Sequence, residues 1–468
     1  MKYNFDEIID RKNNHATKYN ELIKKFGTDD VIPLWIADMD FRTAEPVVNA
    51  VRKKAEHGVF GYVYRPDEYF ESFINWQKKR FGWEPKKELL SFSIGIVPAL
   101  GALVRQFSEK GDKILIQTPV YSEFYDINLD NERVVIENRF IEKDGVYSLD
   151  LKDLEEKLKE HPKLLIFCNP QNPIGHVWTY EELKAIGDLC VKYNVPVISD
   201  EIHADLTLWD NKHIPMASVS EEIRKNTITC TSTGKAFNVA GLQCATIVFN
   251  NLEEKSKFDK FWKDLEVHRN NPFNLVATIA AYNEGEEYLV QLNKYLEDNM
   301  DKIKAILFTH AHLDHIGACR HLLPKFNPLT PIYATDFTIG MIKKQMSELD
   351  DLPEMNYQVV DPLKHEKLQV SEHLSVEFVH TLHSIPGNCA LVIRTPNGVI
   401  YLSGDWRAEA NPIERQTDYE RIDEIVKKEG IALMINESTN IDSPGHHPHS
   451  EYDVGDNIGK VMDHYANG

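Results

Sequence analysis

YLEDNMDKIKAILFTHAHLDHIG, Tyr295–Gly317, is the stretch that decides how this chain divides. Its first half has the apolar spacing of an amphipathic helix. Its second half opens with a short apolar run that predicts a strand, KAILFTH, leading into His310, His312, Asp314 and His315. Upstream, apolar runs alternate with charged helical patterns. EPVVNAVRKKAEHG reads as a helix ending at Gly58, and YFESFINWQKKRFGW as another. KILIQT, RVVIENRF, KLLIFCN and VPVISD read as strands. LKDLEEKLKEH and TYEELKAIGDLCVKYN read as helices, the latter with Thr179 as N-cap and Glu182 three residues on. This alternation predicts a parallel sheet with helices on both faces, and ligands bind such sheets at the carboxyl ends of strands. Asn169 and Asp200 stand at two of those ends. Downstream, PIYAT, LSVEFVH, ALVIRT, GVIYLSG and IALMINES predict a strand-rich α/β unit with hairpins at turns such as PNG. No Gly/Pro/Ser-rich spacer separates the two textures.

A chain of 468 residues has room for about two to four domains. Its 42 % hydrophobic and 10 % aromatic content is that of a globular protein. The net charge of −20 disfavours passive attraction to nucleic-acid phosphates. Six scattered cysteines without a CxxC pair suit reduced, mostly buried thiols and a cytoplasmic setting. MKYNFDEIIDRKNN has no apolar signal-peptide core, and no apolar run is long enough to predict a membrane span.

Lys235 lies in TSTGKAFNVAG, after the apolar run TITCT. A lysine that attacks a carbonyl must be neutral, so it needs burial or a neighbouring positive charge. Other residues form a constellation with it. Asp200, closing VISD, is suited to pair with a protonated pyridine nitrogen, which keeps pyridoxal phosphate (PLP) an electron sink. Asn172 in NPQNPIG suits the ring's phenolic oxygen, and Tyr121 in TPVYSEFY suits stacking on the ring. SIGIVPAL puts Gly95 at a helix start, where backbone N–H groups suit a phosphate.

Taken in order, WIADMDF, GYVY, NPQNPIGHVW, SDEIHADL and GKAFNVAGLQ resemble the MalY/PatB type of cystathionine β-lyase among fold-type I PLP enzymes. The resemblance covers roughly residues 1–300. It implies the large domain of that fold, a parallel-rich sheet flanked by helices. It also implies that Lys235 carries the cofactor and moves the substrate's α-proton, with Tyr121 beside it. Asp200 would pair with the pyridine nitrogen, and Asn172 with the ring oxygen. Gly95, Ile96, Val97 and Ser232 would hold the phosphate, with Tyr62 reaching the phosphate of a neighbouring subunit in a homodimer. His203 occupies a position that is tyrosine in many aminotransferases. The implied reaction is β-elimination from an L-cysteine S-conjugate such as cystathionine, giving thiol, pyruvate and ammonia. The family's small domain and its substrate-carboxylate arginine have no counterpart after AAYNEGEEYLVQLNKYLEDN. Arg394 and Arg407 belong to the strand-rich unit and take no such role.

THAHLDHIGA is an HxHxDH pattern directly after an apolar run. Imidazole and carboxylate ligands on a tight loop suit zinc, and so many polar side chains would be costly to bury unpaired. With HSIPGNCALVIRTPNGVIYLSGDWR and NESTNIDSPGHHPHSE, the pattern resembles the metallo-β-lactamase fold, and ribonuclease J in particular, over roughly residues 295–460. The resemblance implies one metal on His310, His312 and His383, a second on Asp314 and His315, and Asp405 bridging them. Trp406 and Arg407 replace the family's more usual aromatic–lysine pair. The family's opening strands have no counterpart, and its distal histidine is expected beyond Gly468; His446, His447 and His449 in GHHPHS are candidate substitutes, against the preferred reading of a solvated loop. Three readings stand. The first is a PLP-dependent carbon–sulfur lyase, residues 1–300, whose C-terminal part is replaced by a partial metallo-β-lactamase unit, residues 301–468. The second is a metal-dependent phosphodiester hydrolase acting on RNA. The third is a chimera that binds cofactors with little catalysis.

Overall fold

The computed structural model describes residues 2–12, 14–29, 31–143, 146–299, 303–349, 354–409 and 412–437, with isolated positions between 452 and 462. It divides into two compact units, residues 1–141 with 147–297, and residues 298–468 with 142–146.

The first unit is built on seven strands: β1 (Leu90–Ser93), β2 (Lys113–Thr118), β3 (Val134–Arg139), β4 (Leu164–Cys168), β5 (Val197–Asp200), β6 (Thr227–Thr231) and β7 (Ala245–Val248). Their order is β1-β7-β6-β5-β4-β2-β3. Pairing is parallel from β3 through β6. The expectation of a parallel sheet needs one correction, because β7 runs antiparallel to both β6 and β1. The strands are apolar on both faces because both are covered. Leu164 and Ile166 point into one core, and their neighbours Leu165 and Phe167 into the other.

The longer helices of this unit are α1 (Glu45–His57), α2 (Asp67–Phe81), α3 (Ile96–Phe107), α4 (Glu123–Asp130), α5 (Leu151–Lys159), α6 (Tyr180–Lys192), α7 (Leu252–Asp264), α8 (Pro272–Glu284) and α9 (Glu286–Asp298). Helix α5 buries Leu154 and Leu158, four residues apart, and leaves its charges outside. Helix α6 starts at the expected capping box, in which Thr179 and Glu182 satisfy each other's backbone N–H. Helix α9 places Tyr288, Leu289 and Leu292 in a core with Phe5, Phe73, Trp76 and Phe237. It also receives the N-terminal segment, as the Tyr3 N–H donates to Gln291 Oε1 at 2.9 Å and the Tyr295 hydroxyl to Asp6 at 2.7 Å.

The second unit has two sheets. Strands β8 (Ile306–Leu307), β9 (Ile332–Ala334) and β10 (Tyr357–Val359) pair in parallel. The expected strand KAILFTH is thus only two residues long. Strands β11 (Leu368–Ser371), β12 (Leu374–His380), β13 (Cys389–Thr395) and β14 (Gly398–Leu402) pair antiparallel, and β15 (Leu433–Ile435) joins β14 in parallel. The PNG turn links β13 and β14, as the sequence predicts. One face of the larger sheet packs Val376, Phe378 and Leu391 with Leu307 and Tyr333 of the smaller one. The other face packs Val379, Val392 and Tyr401 against Ile425 of helix α11 (Tyr419–Lys428), which follows α10 (Asp336–Met346). Glu377, fully buried in β12, is neutralised by Arg394 at 2.8 Å and Arg421 at 2.6 Å. Among the described residues, no helix is long and apolar enough to cross a membrane.

Candidate active site and candidate metal centre

The carboxyl ends of β4, β5 and β6 open onto a cavity of about 490 Å³, lined by Ile96, Val97, Tyr121, Asn172, Asp200, His203 and Lys235. Trp35, Ile36, Ala37, Cys168 and Ile202 complete it. Sequence reading missed these five as wall residues. Cys168 was detectable, because it ends β4 and pairs in register with Asp200. The others come from distant segments, or from a residue beside a motif, and carry no signature of their own.

Asp200 is buried, and the backbone N–H of Ile202 donates to its Oδ1 at 3.1 Å. Burial pushes its carboxyl up to about 7, with the Glu201 charge adding to the effect and Lys235 opposing it. Burial also holds the Lys235 amine below its ordinary range, opposed by Asp38 and Asp200. The Lys235 ammonium donates to the Ala37 carbonyl at 2.8 Å. Burial and the Lys235 charge push His203 down to about 4, so its imidazole is neutral at pH 7. A carboxylate buried this deeply is stabilised by a cation beside it, which is the electrostatic match for a pyridinium nitrogen. Helix α3 has no side-chain cap at Gly95, so its first-turn N–H groups suit a phosphate. The donor set therefore fits PLP.

Two of the expected phosphate residues, Gly95 and Ser232, lie outside the cavity wall. The Ser232 hydroxyl donates to the Cys244 carbonyl at 2.7 Å and accepts from the Gly234 N–H at 2.9 Å. Tyr62 is 96 % exposed and is not brought to the cavity. In the segment leading to Trp35, Ile32 and Leu34 are each 86 % exposed. All six cysteines are free thiols; five are buried and Cys244 is half-buried.

In the second unit, β8, β12 and β14 deliver their following residues to one place. His310 and His312 follow β8, His383 follows β12, and Asp405 follows β14. These four offer ligand atoms that all lie within 4.8 Å of one another, and Asp314, His315 and Asp405 do the same. His310 Nε2 and His383 Nε2 each lie 3.1 Å from His312 Nδ1. Asp405 faces both groups. Its Oδ2 lies 3.9 Å from His310 and 3.8 Å from His383, and its Oδ1 lies 3.4 Å from His315. Burial and the neighbouring imidazoles push His310 down to about 3. Imidazoles converging beside a carboxylate are a donor set suited to a metal ion. Asp314 is the loosest member, at 75 % side-chain exposure.

The supporting contacts were not legible in the sequence. Asn388 Nδ2 donates to the Asp405 carbonyl at 2.6 Å and to Thr381 Oγ1 at 2.8 Å. The Trp406 N–H donates to Glu437 Oε1 at 3.1 Å. Gly404, at φ +60°, lets the chain turn into Asp405, and a Cβ there would come within 3.0 Å of the Cys389 carbonyl and of Thr309. Arg394 is held by Glu377 and Glu429. His446, His447 and His449 lie outside the described residues.

Comparison with known proteins follows the same division. The profile of the Aminotransferase class I and II family matches residues 29–326, and that of the β-lactamase superfamily domain matches residues 282–451. Cystathionine β-lyase PatB of Bacillus subtilis is 38 % identical over 307 residues, covering 65 % of this chain and 79 % of the relative. The PLP-bound C–S lyase of Staphylococcus hominis superposes with a TM-score of 0.59 at 39 % identity, covering 64 % of this chain and 75 % of that one. Ribonuclease J of Pyrococcus abyssi is 39 % identical over 145 residues, 30 % of this chain, and the chain spans only 31 % of that relative's length. With its larger part matched in both sequence and structure, the chain belongs to the aminotransferase class I and II family, and it carries a β-lactamase-fold unit behind that domain.

Proposed function

We propose that the chain is a PLP-dependent carbon–sulfur β-lyase that converts an L-cysteine S-conjugate such as cystathionine to thiol, pyruvate and ammonia. The observation that carries the reading is the buried Asp200 facing Lys235 across a cavity shared with Tyr121, Asn172 and His203. PLP, when bound, supplies an electron sink for the substrate's Cα. The residues supply the rest. Asp200 would hold a proton on the pyridine nitrogen, Asn172 would contact the ring oxygen, His203 would line the cofactor's cavity, and Tyr121 would stack on the ring. Lys235, desolvated and so easily neutral, carries the cofactor and then takes and returns the α-proton at its Nζ. Ile96 and Val97, with Gly95 and Ser232, hold the phosphate, and Tyr62 serves the neighbouring subunit of a homodimer. The lyase domain spans residues 1–300 and the second domain 301–468. Six free thiols suit a cytoplasmic setting.

The test is absorption spectroscopy with PLP added, followed by pyruvate release from cystathionine. We expect a visible band in the wild-type protein that Lys235→Ala abolishes. Absence of the band in the wild type, or its survival in the variant, rejects the lyase reading. A band without pyruvate release favours a chimera that binds its cofactor with little catalysis.

The geometry of Asp405, one oxygen toward each ligand group, favours a second reading for the other unit. His310, His312 and His383 would hold one zinc ion, Asp314 and His315 another, and Asp405 would bridge them. Such a site suits hydrolysis of a phosphodiester, with RNA as substrate. Elemental analysis for zinc, with and without His310 and His312, tests it.

A further inference from the structure

Residues 35–41 cross the wall of the lysine cavity and are held from two sides. On one side, Arg11 Nη2 meets Asp38 at 2.7 Å and Nη1 meets Asp40 at 2.6 Å. Lys18, almost fully buried, donates to Asp40 Oδ2 at 2.8 Å and to the Asp38 carbonyl at 3.1 Å. The Trp35 indole N–H donates to the Lys18 carbonyl at 2.9 Å. On the other side is Asn238, three residues after Lys235. Its side chain accepts from the Met39 N–H at 3.1 Å and donates to the Met39 and Phe41 carbonyls at 2.8 and 2.9 Å. Between these anchors, the Ala37 carbonyl accepts the Lys235 proton.

We infer that Asp38 is a positioning residue for Lys235, and that Arg11 and Lys18 are the clamp that sets how much of its charge the lysine feels. The inference rests on reading Lys235 as the cofactor lysine. Lys18 is buried and Arg11 half-buried, while the Asp38 and Asp40 side chains stay 27 % and 44 % exposed, and the charge-assisted bonds among the four tie down both the Ala37 carbonyl and the carboxylate beside it. The charged and titratable groups acting on Lys235 are Asp38, Asp200 and the neutral His203, with Tyr121 and Cys168 on the same cavity wall. Arg11 pairs with both oxygens of Asp38, at 3.0 and 2.7 Å, while Lys18 stands 3.7 Å from that carboxylate and makes its close contact with Asp40.

The experiment titrates Lys235 in the full-length chain freed of cofactor. Lysines are methylated with ¹³C-formaldehyde, followed by NMR, and assigned by loss of the signal in Lys235→Ala. Asp38→Asn removes the anion while Arg11 and Asn238 still hold the segment, so the Lys235 midpoint falls, by roughly 0.5–1 pH unit. Lys18→Met leaves the segment tied by Arg11 but uncovers the anions, so the midpoint rises by a similar amount. Lys18→Arg restores the wild-type value. A merely structural clamp would move both variants the same way, and that result, or no shift in Asp38→Asn, overturns the inference. Should Lys18→Met fail to fold, Asp38→Asn against Lys18→Arg decides alone. Because the titration precedes any addition of PLP, the two failures are distinct: failure of the wild type to take up the cofactor rejects the cofactor reading, and failure of the midpoints to shift as stated rejects this one.

Discussion

The lysine cavity and the histidine cluster solve opposite electrostatic problems. In the first unit a carboxylate is driven so far into the protein that its proton affinity rises to about 7, and one lysine faces it across empty volume. In the second unit burial and neighbouring imidazoles suppress protonation of His310, held at about 3, and lower that of His383. Both arrangements would gain from a positive charge supplied from outside, under the proposed functions a protonated ring in one case and metal ions in the other. They differ in their support. Asp200 ends a central strand of a seven-stranded sheet, whereas the second metal group relies on the exposed Asp314. Burial therefore sets the chemistry of the first site, and convergence of loops sets that of the second.

The largest expected effect tests the burial half of this contrast. The folded-state pKa of Asp200 lies above its ordinary value, so its contribution to stability is complete below pH about 4 and is lost as pH rises to about 7. The cofactor-free wild type should lose up to about 4 kcal/mol from this group across that window. Asp200→Asn should show no such loss in a thermal melt followed against pH, and should not be stabilised by PLP. Equal pH profiles for the two proteins would mean that Asp200 is solvated.

Next in size, replacing both His310 and His312 by alanine should weaken zinc binding by more than about 100-fold, since changes in supporting groups alone cost about 10–100-fold. The PLP band should be untouched; its loss would show that the two sites are coupled. Asn388→Ala, which frees the Asp405 carbonyl, should cost about 10-fold in zinc affinity by competition with a chelating dye. An unchanged affinity would mean that Gly404 and Thr309 alone orient the loop. The smallest effect is Thr179→Ala, which removes a helix cap that lines neither site. It should cost about 1 kcal/mol in denaturant unfolding, with both ligand affinities unchanged.

Helices and central strands of the first unit were legible because local signals agree there. The Thr179 capping box, the αL Gly58 and the alternating cores of β4 each follow from neighbouring residues. The reversal of β7 was not legible, because an apolar strand covered on both faces reads the same in either direction. Ligand types were visible in HxHxDH and VISD, but their supporters were not. Asn388 acts through a contact 17 residues away and Ala37 through one 198 residues away, and neither belongs to a period or a motif.

Helix α9 bears on how the chain could be dissected. Both family profiles claim residues 282–326, yet Tyr288, Leu289 and Leu292 are completely enclosed in the first unit. Expressing the β-lactamase-like part from residue 282 would therefore strip a keystone from its neighbour. Each of those side chains is worth about 1.5–3 kcal/mol when buried. A cut placed after Asp298 leaves them in place, and with them the docking of Tyr3 and Asp6 that ties the two ends of the lyase-like segment together.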